Sequence, residues 1–324
     1  KMNIGKYVIL AICGLYSILW GEDFAKSFLR IPPDAVSRAI GGFNQAYSIG
    51  AVDLFINPAL LSQHTQRELQ FSNIIDLLSN QYASLAFSMP LGEGDHIGVG
   101  LVGRLNPNPQ ENGTNGVNIR NYDHYQFAMV VGYSRNLFPF SIGTNIKYFQ
   151  MGYDGGELYN TASAFGLDLG AHYLNEAFRV GFIYQTPFEI QWNDNKREPM
   201  PGRMGLGLAW TPSYVSENFL RILLSADRFA NEPFQMNFGI ILTPVLNKLG
   251  LKNFSLRSGV GNFDLDSHSQ TSVLDNLIDS APILTIGAGL GIDTGADWGI
   301  NLDYCFQVKE YITNQHIITT RISF

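Results

Sequence analysis

From about residue 81 onward, polar and apolar residues alternate. In SIGTNIKYF, Ile142, Thr144, Ile146 and Tyr148 fall on one face, with Ser141, Gly143, Asn145 and Lys147 on the other. FGLDLGAHY sets Phe165, Leu167, Leu169, Ala171 and Tyr173 against Gly166, Asp168, Gly170 and His172. WGINLDYCF sets Trp298, Ile300, Leu302, Tyr304 and Phe306 against Gly299, Asn301, Asp303 and Cys305. A period of two places alternate side chains on opposite faces of a strand, so each segment predicts a β-strand with one apolar face. A soluble sandwich alternates too, so the number and spacing of segments carry more weight than any one of them.

About fourteen such segments follow one another, at 68–75, 81–91, 95–105, 122–135, 138–151, 160–174, 178–186, 203–212, 219–228, 235–244, 252–262, 281–293, 297–307 and 314–324. The links at 92–94, 135–137, 175–177 and 294–296 are tight, whereas those at 106–121, 187–202 and 263–280 are long. An even strand count with short turns at one end and long loops at the other is the pattern of an outer-membrane barrel. The expected fold is therefore all-β, a transmembrane antiparallel β-barrel of about fourteen strands occupying 67–324.

Composition agrees with a partly non-aqueous surround. Charged residues make up 15% of the 324 and aromatics 13%, where a soluble domain carries about 25% charge. After residue 21 no segment approaches the roughly 18 consecutive apolar residues of a spanning helix. A closed barrel is the other way to satisfy every backbone group in lipid. A net charge of -7, with no basic cluster interleaved with aromatics, argues against nucleic acid. At the N-terminus, basic Lys1 to Lys6 precede the apolar run Tyr7 to Trp20, the layout of a secretory signal peptide over 1–21. The address implied is the bacterial outer membrane. Leu10-Ala11-Ile12-Cys13 approaches a lipoprotein box, but Ile12 is too large for the position before the cysteine. Without the leader, Cys305 is the remaining cysteine and has no internal disulfide partner.

The polar face becomes the lumen. Gly98, Gly100, Gly132, Gly181, Gly205, Gly207, Gly259, Gly261, Gly287, Gly289 and Gly291 fall on it by phase. Interior glycines weaken strands and are best explained by another piece of backbone packing against them. Lys147, Asp168 and Arg179 lie on three successive strands and Asp303 and Arg321 on the last two, as expected of structural ion pairs in the lumen, with a role in conducting or binding an ion as the alternative. The chain ends ITTRISF with Ile318, Thr320, Ile322 and Phe324 outward, and an aromatic last residue suits Phe324 to a C-terminal insertion signal.

Residues 22–66 do not alternate. Within them Pro58 suits the first turn of a short helix at 58–62 and Asn57 can cap it. A compact N-terminal plug, or hatch, folded into the glycine-lined lumen is the economical reading, with Asn57, Pro58 and Ala59 as its motif. Its backbone would be satisfied by lumen side chains such as Asn145 or Arg257. A soluble periplasmic arm is the alternative.

The run FLRIPPDAVSRAIGGFNQAYSIGAVDLFINPALLS resembles the N-terminal signature of the PorV/PorQ family, outer-membrane proteins of the FadL-like superfamily. Asn57-Pro58-Ala59 is similar to the hatch motif shared across that superfamily; INPALLS is similar to the PorQ branch and FLRIPPD to PorV. AMVVGYSRNLFPFSIGTNIKYF and ASAFGLDLGAHYL extend the resemblance over nearly all of the chain after the leader. It implies a fourteen-stranded barrel with an internal N-terminal hatch. On the PorV/PorQ side it implies accessory work in type IX protein secretion, binding or anchoring exported proteins. On the FadL side it implies diffusion of hydrophobic small molecules through the barrel wall.

No catalytic or metal-binding constellation emerges. The histidines, His64, His96, His124, His172, His268 and His316, show no metal-ligand spacing. Asp264, Asp266, Ser267 and His268 lack the glycine and terminal glutamate of a calcium loop. No serine sits in a nucleophile elbow, and Gly287 to Gly291 open no helix that would cradle phosphate. No cofactor is implied. The expected partners are outer-membrane lipid, proteins of a secretion apparatus, and hydrophobic small molecules or detergent in the barrel. Phe188, Ile190 and Trp192 in the loop 187–202 are the candidate contacts.

Overall fold

A computed structural model of the chain describes residues 28–76, 81–106, 110–112, 118–121, 123–155, 158–200, 202–212, 219–229, 234–244, 253–264, 283–293, 298–309 and 312–324. The expected leader over 1–21 and most of the loop 263–280 lie outside them. Fourteen antiparallel strands follow in chain order: β1 (Glu68–Asp76), β2 (Gln81–Pro90), β3 (Asp95–Asn106), β4 (Asp123–Leu137), β5 (Phe140–Gly155), β6 (Leu158–Leu174) and β7 (Phe178–Gln185). The second half comprises β8 (Arg203–Trp210), β9 (Leu220–Phe229), β10 (Gln235–Leu242), β11 (Asn253–Asp264), β12 (Ile283–Asp293), β13 (Gly299–Lys309) and β14 (Ile312–Ser323). Each pairs with its neighbours in sequence, and β1 pairs with β14 from Glu68 opposite Ser323 to Asp76 opposite Gln315. That pairing closes the sheet, so the wall has no open edge. Arg67 and Phe324 complete the seam by donating to each other's carbonyls at 3.1 and 2.9 Å.

All fourteen segments read from the alternation coincide with these strands to within a few residues at their ends. Two local differences stand out. The turn joining β4 to β5 sits at Phe138-Pro139, because Arg135 and Leu137 pair with Ile142 and Phe140 rather than leaving the ladder. The expected loop 187–202 is largely a β-hairpin, Phe188–Trp192 paired with Arg197–Met200. It joins the upper part of β6 through Gln191 opposite Ser163 and Trp192 opposite Ala162. Strands β4, β5 and β6 have 15, 16 and 17 residues, more than the roughly 9–11 that cross a bilayer. The upper end of β6 supports the hairpin.

The outward face is apolar, and Phe165 and Ile146 are 71% and 61% exposed. Aromatic pairs cluster at both ends. Phe127, Tyr148 and Phe165 lie toward the long-loop end, while Phe140 with Tyr173, Phe178 with Trp210 and Phe87 with Phe324 lie toward the short-turn end. An apolar band between two aromatic girdles is the surface a barrel presents to lipid, with short turns facing the periplasm. Phe324 belongs to the lower girdle.

The segment 28–64 fills the lumen, running from the long-loop end down to the start of β1. Phe28 meets Tyr82 and Phe149 near the top, and His64 meets Ser88 near the bottom. Asp34 caps a short helix α1 (Ala35–Ala39) by accepting from the amides of Val36 and Ser37, and a second helix, α2 (Asp53–Ile56), leads to a 3-10 turn at Pro58–Gln63. Val36, Ile40, Val52, Leu54, Ile56, Leu60 and Leu61 are buried, each contributing about 1.5–3 kcal/mol relative to exposure.

The lumen and its plug as candidate functional site

At the level of β5 and β6 the plug touches the wall through Asn57. Its side chain donates to the carbonyls of Gln45 and Ala171 at 2.9 and 3.1 Å and accepts from the amide of Ala59 at 3.1 Å. One residue thus caps the 3-10 turn, ties two parts of the plug together and fastens both to β6. Pro58 occupies the first position of that turn, where its missing N–H costs nothing. The wall makes room with glycine: a Cβ on Gly143 would lie 2.5 Å from the Ala59 nitrogen, and one on Gly170 would collide with the Asn57 oxygen. Asn145, expected to satisfy plug backbone, donates to the Leu54 carbonyl at 2.6 Å. Arg257, expected to do the same, pairs instead with Asp303.

Below Asn57 lies a buried polar cluster that sequence reasoning missed. The Asp53 carboxylate accepts from Ser48 Oγ at 2.6 Å and from the Ile49 amide at 3.0 Å, and meets His64 Nε2 at 3.0 Å. His64 Nδ1 meets Ser88 Oγ on β2 at 2.9 Å, and His96 Nε2 donates to the His64 carbonyl at 2.7 Å. Burial works against a charged His64, but the hydrogen bond and charge of Asp53, with Glu68 behind them, hold its pKa above the ordinary value. The order Ser88–His64–Asp53 resembles a catalytic triad, yet Ser88 is 1% exposed. The cluster therefore works as a latch between plug and wall.

The lumen charges expected to pair do so only in part. Lys147 Nζ lies 2.7 Å from Asp168 Oδ1, across adjacent strands. Asp303 pairs not with Arg321 but with Arg257, two strands away, at 2.7 Å. Gly289 on the intervening strand leaves the gap the pair needs. Arg321 donates to the Ile49 carbonyl. Arg179 has no ion-pair or hydrogen-bond partner among the described residues. A further pair lay in phase but went unnoticed: Arg203 donates twice to Asp227, at 2.8 and 2.6 Å, and Gln45 Nε2 of the plug joins at 2.9 Å. Arg203 also lies over the Phe43 ring at 4.0 Å.

At the long-loop end the lumen is aromatic. Phe28 stacks on Phe149 at 5.6 Å, and Phe188 approaches Phe149 at 6.2 Å. Ile190 and Met200 of the hairpin are buried in the same cluster, with Tyr82 and Ile74. Trp192 stacks on Tyr153 at 5.8 Å and donates to Glu198 at 3.2 Å. Phe188, Ile190 and Trp192, expected as loop contacts, are thus drawn together but turned toward the lumen. The signal was present in the sequence: FEIQW alternates, and a strand paired to β6 puts its apolar face inward. Beside them Leu29, Arg30, Lys147, Gln185, Phe229 and Met200 line a cavity of about 20 Å³, room for about one water.

No protein-family model and no curated protein sequence matches the chain. Solved structures do. The toluene transporter TodX of Pseudomonas putida superposes with a TM-score of 0.60 at 14% identity, over 94% of this chain and 99% of that one. The monoaromatic hydrocarbon channel CymD gives 0.59 at 14% identity, over 92% and 98%. A FadL homologue of Pseudomonas aeruginosa gives 0.57 at 9% identity, over 90% and 98%. The fold is therefore a closed fourteen-strand antiparallel barrel, shared with these channel structures.

Proposed function

We propose that this barrel is a channel that admits small hydrophobic molecules through the outer membrane. The observation that carries the reading is the aromatic cluster of Phe28, Phe149, Phe188 and Ile190 at the long-loop end of the lumen. A neutral apolar molecule gains by burial against such a cluster, and Lys147, paired with Asp168, lines the cavity beside it. The likeness in fold to proteins described as hydrocarbon channels supports the same reading.

Above Asp168 opposite Gln185, Thr186 still donates to the Leu167 carbonyl at 2.9 Å, and the hairpin carries the β7 and β8 pairing on upward against β6 with a one-residue shift. The second hairpin strand has no further sheet partner among the described residues. The cavity in its present form is too small for an aromatic ring, so entry requires the hairpin or the Phe28 segment to move. Lipid against the outward belt is the second partner in this reading.

The secretion-accessory role implied by the resemblance to PorV and PorQ has no comparable support. No comparison points to it, and the aromatics that were to greet a protein partner face inward. The test is uptake of toluene by intact Gram-negative cells, whose lipopolysaccharide leaflet resists hydrocarbons. Cells making the protein should take up toluene faster than cells without it, and Phe188→Asp should remove the gain. Equal uptake in all three would overturn the reading.

A further inference from the structure

The fastenings between plug and wall differ in one chemical respect. Asn57 on the Ala171 carbonyl and Asn145 on the Leu54 carbonyl hold through side-chain amides, and Arg38, which donates to Gln307 and Gln315, holds through a guanidinium. None of these groups exchanges a proton near neutral pH. The imidazole of His64 does.

The groups around His64 come from the plug and from four wall strands. On the plug, Asp53 Oδ2 lies 3.0 Å from Nε2 and also accepts from Ser48 Oγ at 2.6 Å. On β1, Glu68 Oε2 lies 4.0 Å from Nδ1, and this buried atom makes no hydrogen bond among the described residues. Ser88 Oγ on β2 lies 2.9 Å from Nδ1, and His96 Nε2 on β3 donates to the His64 carbonyl at 2.7 Å. Arg321 on β14, which donates to the Ile49 carbonyl, supplies the opposing positive charge. Burial disfavours the charged ring, but the hydrogen bond and charge of Asp53 and the charge of Glu68 outweigh it and raise the His64 pKa.

We propose that the plug is held shut by a proton: charged His64 ties Asp53 of α2 to Ser88 of β2, and loss of that proton toward alkaline pH loosens the lower plug and lets the pore open. The charged ring offers two N–H donors, one for Asp53 and one for Ser88 or Glu68. The neutral ring offers one, and it leaves a carboxylate beside each ring nitrogen without a cation between them. Charge-assisted hydrogen bonds are about twice as strong as neutral ones. The latch is therefore fully made below about pH 6.5 and weakens as pH rises through the raised value. The device acts at the short-turn end and does not rest on the hydrophobic-channel reading, which concerns the opposite end of the lumen.

Single-channel recording of the purified full chain in planar bilayers, at about pH 5.5 and about pH 9, tests it. The parent protein should open about tenfold more often at the higher pH. His64→Gln, which keeps an amide donor for Asp53 but carries no titrating proton, should open equally often at both. His96→Gln should keep the parent's response, which assigns the titration to His64 and not to its neighbour. Heat-modifiable gel mobility like that of the parent protein verifies that each variant is folded. A parent channel indifferent to pH or more open in acid, a response that survives in His64→Gln, or one that is lost in His96→Gln would each overturn the proposal, whatever the outcome of toluene uptake.

Discussion

The two ends of the lumen are held by different forces. At the long-loop end Phe28, Phe149, Phe188 and Tyr82 meet ring against ring, contacts with little directional demand that tolerate a guest or a shifted partner. At the short-turn end Asp53, His64, Ser88 and Asn57 are joined by hydrogen bonds of 2.6 to 3.1 Å, which are lost once geometry drifts. In the proposed reading the first end suits admission of varied apolar molecules, and the second suits a closure that is either made or broken, so that one plug would serve as both floor and stopper.

The strongest way to break the lower end is steric. Gly170→Val should drive the Asn57 carboxamide from the wall and displace the plug, giving open-pore conductance in single-channel recording where the parent protein is closed. Unchanged conductance would show that Asn57 does not set the closure. Next in size, Phe149→Ala should cost about 3–5 kcal/mol of stability, seen as a lower temperature for the heat-induced gel shift, with conductance still closed. A leaking Phe149→Ala pore would erase the distinction between the ends.

Asp53→Ala leaves His64 Nε2 and the Ile49 amide buried without their acceptor, at about 1–3 kcal/mol. It should raise leak while leaving toluene uptake at the parent level. The smallest effect concerns pH. His64 has a folded pKa raised above its ordinary value, so its stabilising contribution is complete below about pH 6.5 and fades as pH rises through the raised value. The gel-shift temperature should fall modestly across that range in the parent protein, and the fall should be absent in His64→Gln.

How much of this was legible in the sequence follows from the range of the forces. Strands β5, β6 and β13 were readable because lipid on one side and lumen on the other impose a period of two on neighbouring residues. Phase also said that Asp303 and Arg321 face inward. It did not say whom they meet, because strand tilt and a gap at Gly289 bring Arg257 to Asp303 across β12. The plug was legible as a non-alternating segment but not in its internal shape. α1 is fastened to residues such as Thr319, whose hydroxyl accepts from the Ala35 amide at 2.9 Å across 284 positions. The Asp53–His64–Ser88 latch has no local pattern at all. The hairpin around Phe188 differs again: FEIQW alternates as a strand does, but Pro187 before it and the polar run after Trp192 give the segment the composition of a loop.

The closure of β1 onto β14 also imposes an order of events. The plug lies ahead of the first strand, and the ring is complete only when the last strand pairs with that first one. Bulky side chains such as Phe28, Phe43 and Leu54 fill the interior they would have to traverse if they arrived late. Enclosure therefore happens while the sheet is still an open ribbon, with the filler acting as the form around which it curls. Joining strands as far apart in sequence as Glu68 and Ser323 is slow, and during that interval the half-wrapped plug shields the edges that remain unpaired.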